Sequence, residues 1–241
     1  MKNEETALSE REKILGRIRE ALKVNAPMPG AHPSSAAVPA ASRIAGGTPA
    51  PLSAREWLPS VGASIGEQFN LFAKNAADLK ADFQLLTGRD ELQATLVKLR
   101  DAEKWRRTAS HGGELTDFAC KTLGLPVTLT DRGYDVQEME KCDAGITECD
   151  ALIAQTGGVV VTSRSAGGRA LSVLPPHHVV LARREQLVAD LPAAFALLQR
   201  KYAPDFPSMI SFITGPSRTG DIERILVLGA HGPKKLTILC F

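Results

Sequence analysis

Between Trp57 and Thr130, short apolar runs alternate with stretches of helical period, and this alternation leaves few architectures open. Trp57, Val61, Ile65, Phe69, Phe72, Ala76 and Leu79 recur every three or four positions, the spacing of a helix with one buried face. Phe83 to Thr87 reads as a strand, Asp90 to Asp101 as a helix through Leu92, Leu96 and Leu99, and Trp105 to Ser110 as a second strand. A helix around Thr116 to Leu123 and a strand at Val127 to Thr130 extend the series. Strands separated by helices of this length predict an α/β layer with a mostly parallel sheet. In such sheets ligands bind outside the carboxyl ends of the strands.

Beyond Thr130 the pattern changes. Thr147 to Ala154 has the look of a short helix, with Thr147 as cap and Asp150 three residues on. The β-branched run Val159 to Thr162 then predicts a strand, Arg164 to Arg169 a turn, and Ala170 to Leu174 the returning strand of a β-hairpin. After Pro175-Pro176, Val179 to Ala182 is another apolar strand, and a long helix is expected from Arg184 to about Tyr202, kinked or split at Pro192. The last thirty residues read as strand (Met209 to Ile213), polar loop, helix (through Ile222, Ile225 and Leu226) and strand (Leu236 to Phe241).

The amino-terminal region differs in kind. Residues 1–25 carry a thin apolar stripe, Leu8, Ile14, Leu15, Ile18 and Leu22, which suits an amphipathic docking helix. Residues 26–52 turn to Ala, Pro, Gly and Ser without period and predict a flexible linker. The globular domain is expected over residues 53–241.

Charge and cysteine usage narrow the function. Net charge is +2, aromatics are 5%, and no Lys/Arg block is interleaved with aromatics, so nucleic-acid binding has no footprint here. No apolar stretch approaches the ~20 residues of a membrane span, and Met1-Lys-Asn-Glu-Glu5 lacks the apolar core of a secretory signal. A cytoplasmic protein is expected. Cys120, Cys142, Cys149 and Cys240 form no CxxC and match no zinc or cluster spacing, so no metal is expected on this chain.

Four places carry residues suited to chemistry. In the loop Thr214 to Asp221, Ser217, Arg218 and Thr219 would surround the start of the following helix. There, unpaired N–H groups, hydroxyls and a guanidinium fork together suit a carboxylate or phosphate. Capping of that helix explains Asp221 and Glu223 equally well. Thr156-Gly157-Gly158 offers backbone N–H groups without side chains in the way, or simply a tight turn; it is not a P-loop. His177 and His178, stiffened by Pro175-Pro176, are acid–base or anion-binding candidates, of which only one should face a given pocket. Glu148 is a base or nucleophile candidate, with a favourable place in the first turn of a helix as its structural explanation. His231 suits a helix carboxyl end.

Ile153-Ala-Gln-Thr-Gly-Gly158, Leu174-Pro-Pro-His-His-Val-Val180, Phe212-Ile-Thr-Gly-Pro-Ser-Arg-Thr-Gly-Asp-Ile-Glu223 and Leu228-Gly-Ala-His-Gly-Pro-Lys-Lys-Leu236 together resemble the LUD-domain family from about Leu58 onward. Gly158 stands where that family usually carries a threonine. The resemblance implies a Rossmann-like fold of the NagB/RpiA/CoA-transferase type. It also implies a part in oxidising L-lactate to pyruvate beside two iron–sulfur lactate-utilisation proteins, which would hold the clusters while this chain holds no cofactor. A lactate or pyruvate carboxylate would then suit Ser217, Arg218 and Thr219, with His177 or His178 near the hydroxyl. A free-standing enzyme acting on a phosphorylated, folate or CoA substrate, centred on Glu148 and the Thr156-Gly157-Gly158 turn, is the alternative; a scaffold whose loops are purely structural is a third.

Overall fold

A computed structural model describes residues 58–131, 133–219, 227–228 and 232–241. The expected amino-terminal helix and linker, Trp57, the helix through Ile222 to Leu226, and His231 lie outside the described residues.

In chain order the elements are α1 (Ile65–Asp78), β1 (Asp82–Leu85), α2 (Arg89–Glu103), β2 (Thr108–Ser110), α3 (Glu114–Leu123), β3 (Val127–Leu129), α4 (Val136–Glu140), β4 (Ala144–Glu148), β5 (Ala151–Ile153) and β6 (Gly158–Thr162). A 3-10 turn at Ala170–Ser172 precedes β7 (His177–Ala182), β8 (Leu187–Val188), α5 (Leu191–Tyr202), β9 (Ile210–Ile213), β10 (Arg218–Thr219), β11 (Val227–Leu228) and β12 (Lys235–Cys240). Six strands form an all-parallel sheet in the order β1-β12-β7-β4-β2-β3. A smaller sheet, β8-β5-β6-β9, is largely antiparallel, and β10 pairs with β11.

Strand alternation divides the core. Val179, Leu181, Ile146 and Leu239 face α2 and α3, meeting Leu92, Leu96, Leu115 and Leu123. Val180, Ala182, Ile238 and Cys240 face the other way, onto Phe69, Phe72 and Ala76 of α1 and onto Leu152, Val159 and Val161 of the smaller sheet. The opposite face of that sheet packs Ala151, Ile153 and Val160 against Ala194, Leu198 and Tyr202 of α5. Both faces of the large sheet are covered, so its central strands read as continuous apolar runs.

Three expectations are corrected. Thr147 to Ala154 is not a helix: it holds the end of β4 and all of β5, joined across Cys149-Asp150. Asp150 reproduces a cap pattern, yet its carboxylate is buried and accepts hydrogen bonds of 2.6 Å from Lys201 Nζ and Tyr202 Oη. The hairpin exists but is built by β5 and β6, while Ala170 to Ser172 forms the 3-10 turn. The long helix from Arg184 is a 3-10 turn, β8 and then α5; Asp190 caps α5 through Ala193 N–H, and Pro192 sits in the first turn, where its missing N–H costs nothing.

Candidate functional site

The four sequence blocks singled out above meet at the amino edge of the large sheet. Ser217 N–H donates to Pro233 C=O at 2.8 Å, and Lys234 N–H to Pro176 C=O at 2.8 Å, tying the Gly215-Pro216-Ser217 loop to Gly232-Pro233 and that segment to Pro175-Pro176. Gly158 lies against Thr214: a Cβ on Gly158 would stand 3.0 Å from Thr214 Cγ2. Gly215 has φ +93°, and a Cβ there would meet Leu79 O at 2.6 Å, so only glycine lets the loop seat on the end of α1.

Between these segments opens a cleft of about 410 Å³, walled by Ser172 and Val173 on one side and by Thr214, Ser217, Arg218 and Gly232 on the other. Arg218 makes no ion pair among the described residues. It opens β10, with Arg218 opposite Leu228 and Thr219 opposite Val227; the helix expected to start after it lies outside the described residues. An exposed guanidinium beside a serine hydroxyl in a cleft of this size suits a small carboxylate or phosphate.

The Thr156-Gly157-Gly158 turn borders this region, but its glycines answer to packing. Gly157 has φ +64°, and a Cβ would lie 2.5 Å from the Ala76 nitrogen. Thr156 Oγ1 accepts the Gly158 N–H at 3.3 Å, and Asn75 Nδ2 donates to the carbonyls of Ala154 (3.0 Å) and Gln155 (2.9 Å). The space beside the turn is filled by the end of α1.

Neither histidine reaches the cleft. His177 and His178 are 4% and 1% exposed and point to opposite faces, as neighbours on a strand must. His178 Nε2 lies 2.9 Å from Thr147 Oγ1, and His177 Nε2 lies 2.9 Å from Thr237 Oγ1. Burial pushes the pKa of His177 down to about 4; burial and the adjacent His177 push that of His178 down to about 3.

Glu148 sits at the far edge. It ends β4 at the carboxyl side of the sheet, where the chain, having placed β3 on one side of β2, places β4 on the other. Its Oε1 accepts the Leu115 N–H at 2.9 Å, and Arg183 approaches Oε2 at 3.8 Å. Glu148 thus complements a helix start, though that of α3 and not its own. The fit is close: a Cβ on Gly113 would meet Glu148 Oε1 at 2.5 Å. Beside it is His111, which sequence reasoning missed because nothing local marks it. Its Nδ1 donates to Gly112 C=O at 3.0 Å and its Nε2 accepts the Glu148 N–H at 3.3 Å, so the backbone fixes the tautomer and occupies both nitrogens. β4 has five residues, at about 3.3 Å each, so Glu148 and the Arg218 cleft serve no common small ligand.

Among the described residues no group of three or more His, Cys, Asp or Glu side chains is placed to hold a metal ion, and no helix is long and apolar enough to cross a membrane. The LUD domain profile matches residues 70–240. The chain is 36% identical over 202 residues to a lactate utilization protein C of Geobacillus kaustophilus, covering 75% of this chain and 80% of that protein. To a lactate utilization protein C of Bacillus licheniformis it is 35% identical over 165 residues, covering 60% of this chain and 69% of the relative. A solved structure of a DUF162 family protein from Deinococcus radiodurans superposes with a TM-score of 0.56 at 21% identity, over 74% of this chain and 99% of the other, a likeness of fold.

Proposed function

The chain belongs to the LUD domain family, and from that premise we propose that it serves lactate utilisation as the cluster-free subunit of an L-lactate-oxidising complex. The observation that carries this reading is the match to lactate utilization protein C of Geobacillus kaustophilus over 80% of that protein's length. In this reading the substrate carboxylate is held in the Arg218 cleft by the guanidinium and the Ser217 hydroxyl, with Thr219 beside them in the sequence. Oxidation of L-lactate to pyruvate releases two electrons and two protons. The electrons pass to iron–sulfur clusters on two partner proteins, LutA- and LutB-like, since the four cysteines here are dispersed along the chain. The site is expected to work in the cytoplasm.

The test is purification of the tagged chain from its native cell, with the eluate assayed for iron and for lactate-dependent electron transfer to a dye. Co-elution of two iron–sulfur proteins with activity is the expected result. A chain that elutes alone and turns over a phosphorylated, folate or CoA substrate unaided would replace this reading with the free-standing enzyme.

A further inference from the structure

The Arg218 cleft is larger than lactate needs. Lactate has six heavy atoms, and even at the ~30 Å³ that a water takes in the liquid these would claim ~180 Å³. That is less than half of the cleft, whose volume of about 410 Å³ lies in the range of pockets that take much larger ligands.

The two walls differ in chemistry. On one side stand the Arg218 guanidinium and the Ser217 hydroxyl, and Arg218 is the single charged residue among the described residues of the lining. The opposite wall offers no donor. Its N–H groups turn inward along the 3-10 turn: Ser172 to Arg169 C=O at 3.2 Å, Val173 to Ala170 C=O at 3.1 Å and Leu174 to Ala170 C=O at 2.9 Å. The Ser172 hydroxyl donates to the Arg169 carbonyl as well, at 3.0 Å.

What this wall presents instead is Val173. Leu171 and Leu174 belong to the core with Ala109 and Met139, whereas Val173 is half-buried at the cleft. Pro216 and Pro233, which have no N–H, extend the apolar lining. A ligand held by its carboxylate at Arg218 therefore meets an apolar surface at its far end. A hydrocarbon chain gains by covering that surface, while a second carboxylate would lose water there without finding a partner.

We infer that the cleft selects α-hydroxy monocarboxylates longer than lactate, with the chain beyond the α-carbon lying against Val173, Pro216 and Pro233. The inference rests on the reading of this cleft as the seat of the substrate carboxylate. As the C–OH of such an acid becomes C=O, two protons leave and two electrons pass to the iron–sulfur clusters of the partner proteins.

The test compares kcat/KM for electron transfer to a dye by the assembled complex, with L-lactate, L-α-hydroxybutyrate, L-α-hydroxyvalerate and L-α-hydroxyglutarate as donors. Burying one methylene is worth roughly threefold, so kcat/KM should rise by about that factor from lactate to hydroxybutyrate and again to hydroxyvalerate. Hydroxyglutarate matches hydroxyvalerate in length but ends in a carboxylate, and should be at least tenfold poorer. V173K places an ammonium on the far wall and should reverse the order of those two acids, while its lactate turnover reports that fold and complex survive. If hydroxyvalerate is no better than lactate, if hydroxyglutarate equals hydroxyvalerate, or if V173K leaves their order unchanged, the inference fails and the carboxylate site stands. If R218A keeps full activity with every donor, the carboxylate site itself lies elsewhere and the inference falls with it.

Discussion

Asp150 and Lys201 form an ion pair that is buried at one end only: Nζ to Oδ1 is 2.6 Å, with the carboxylate side chain 0% exposed and the lysine 49% exposed. Burial alone would raise the Asp150 pKa, but the hydrogen bonds from Lys201 and Tyr202 outweigh it and hold the pKa below the ordinary value. The two partners are therefore not equivalent. Lys201→Met strands a buried carboxylate and is expected to cost about 3–5 kcal/mol in urea denaturation. Asp150→Asn releases a lysine that can turn to water and should cost less, about 1–3 kcal/mol, for its lost charge-assisted bonds. Equal losses in the two variants would show that the carboxylate is not held as described.

Stability should fall as pH drops from about 6.5 to 4. An unfolded imidazole titrates near 6.5, while burial pushes the folded pKa of His177 to about 4 and of His178 to about 3. Across that window the unfolded chain binds more protons than the folded one, so the contribution is whole above about pH 6.5 and lost as pH falls toward the folded values. The loss should be on the order of a few kcal/mol in total, read from denaturant midpoints at pH 7.5 and 4.5. Asp150, its pKa depressed, contributes stability above its ordinary range near pH 4 and loses it only as pH falls below that range, outside this window. His178→Asn should flatten the slope between pH 6.5 and 4.5; an unchanged slope contradicts the assignment.

Gly145→Ala should destabilise the domain. The added methyl would meet Leu171 O at 2.2 Å, and the backbone of the 3-10 turn cannot rotate away as a side chain would. A loss of about 1–3 kcal/mol is expected, seen as a lower thermal midpoint. Because the same turn carries Ser172 and Val173, ligand binding in the cleft should weaken as well.

Glu148 and Arg218 should separate cleanly in the assembled lactate system. Glu148→Gln weakens the electrostatic support of α3 and should cost about 1 kcal/mol of stability, leaving lactate-dependent electron transfer near its starting rate. Arg218→Ala should reduce that rate at least tenfold without lowering the thermal midpoint, and Arg218→Lys should recover only part of it, since lysine lacks the planar fork. Loss of electron transfer in Glu148→Gln with Arg218→Ala unaffected would move the site to the carboxyl edge.

The fold was most readable where local pattern and tertiary setting agree. Phe69, Phe72 and Ala76 announce α1, and the same residues fill its buried face. Around Asp150 they diverge. A threonine and an aspartate three residues apart imitate a helix cap, while the true partner of the aspartate lies 51 residues on. The start of α5 was legible after all, in Asp190 followed by Pro192. The cleft could be anticipated only as a set of motifs: Ser217 and Arg218 were named, but the hydrogen bonds from Ser217 to Pro233 and from Lys234 to Pro176 that gather the blocks are long-range. His111, held by the backbone at both nitrogens, leaves no trace in the linear pattern.

The large sheet also imposes an order in time. β12 is an interior strand, lying between β1 and β7, so Asp82–Leu85 near the start of the domain pairs only with residues 237–240. During synthesis β1 must leave the ribosome and wait, its apolar Phe83 lacking its sheet neighbour, until about 150 further residues have been made. The domain is therefore exposed to aggregation for most of its translation, and a chain stopped just short of Lys235 would lose an interior strand and leave β1 without its sheet partner.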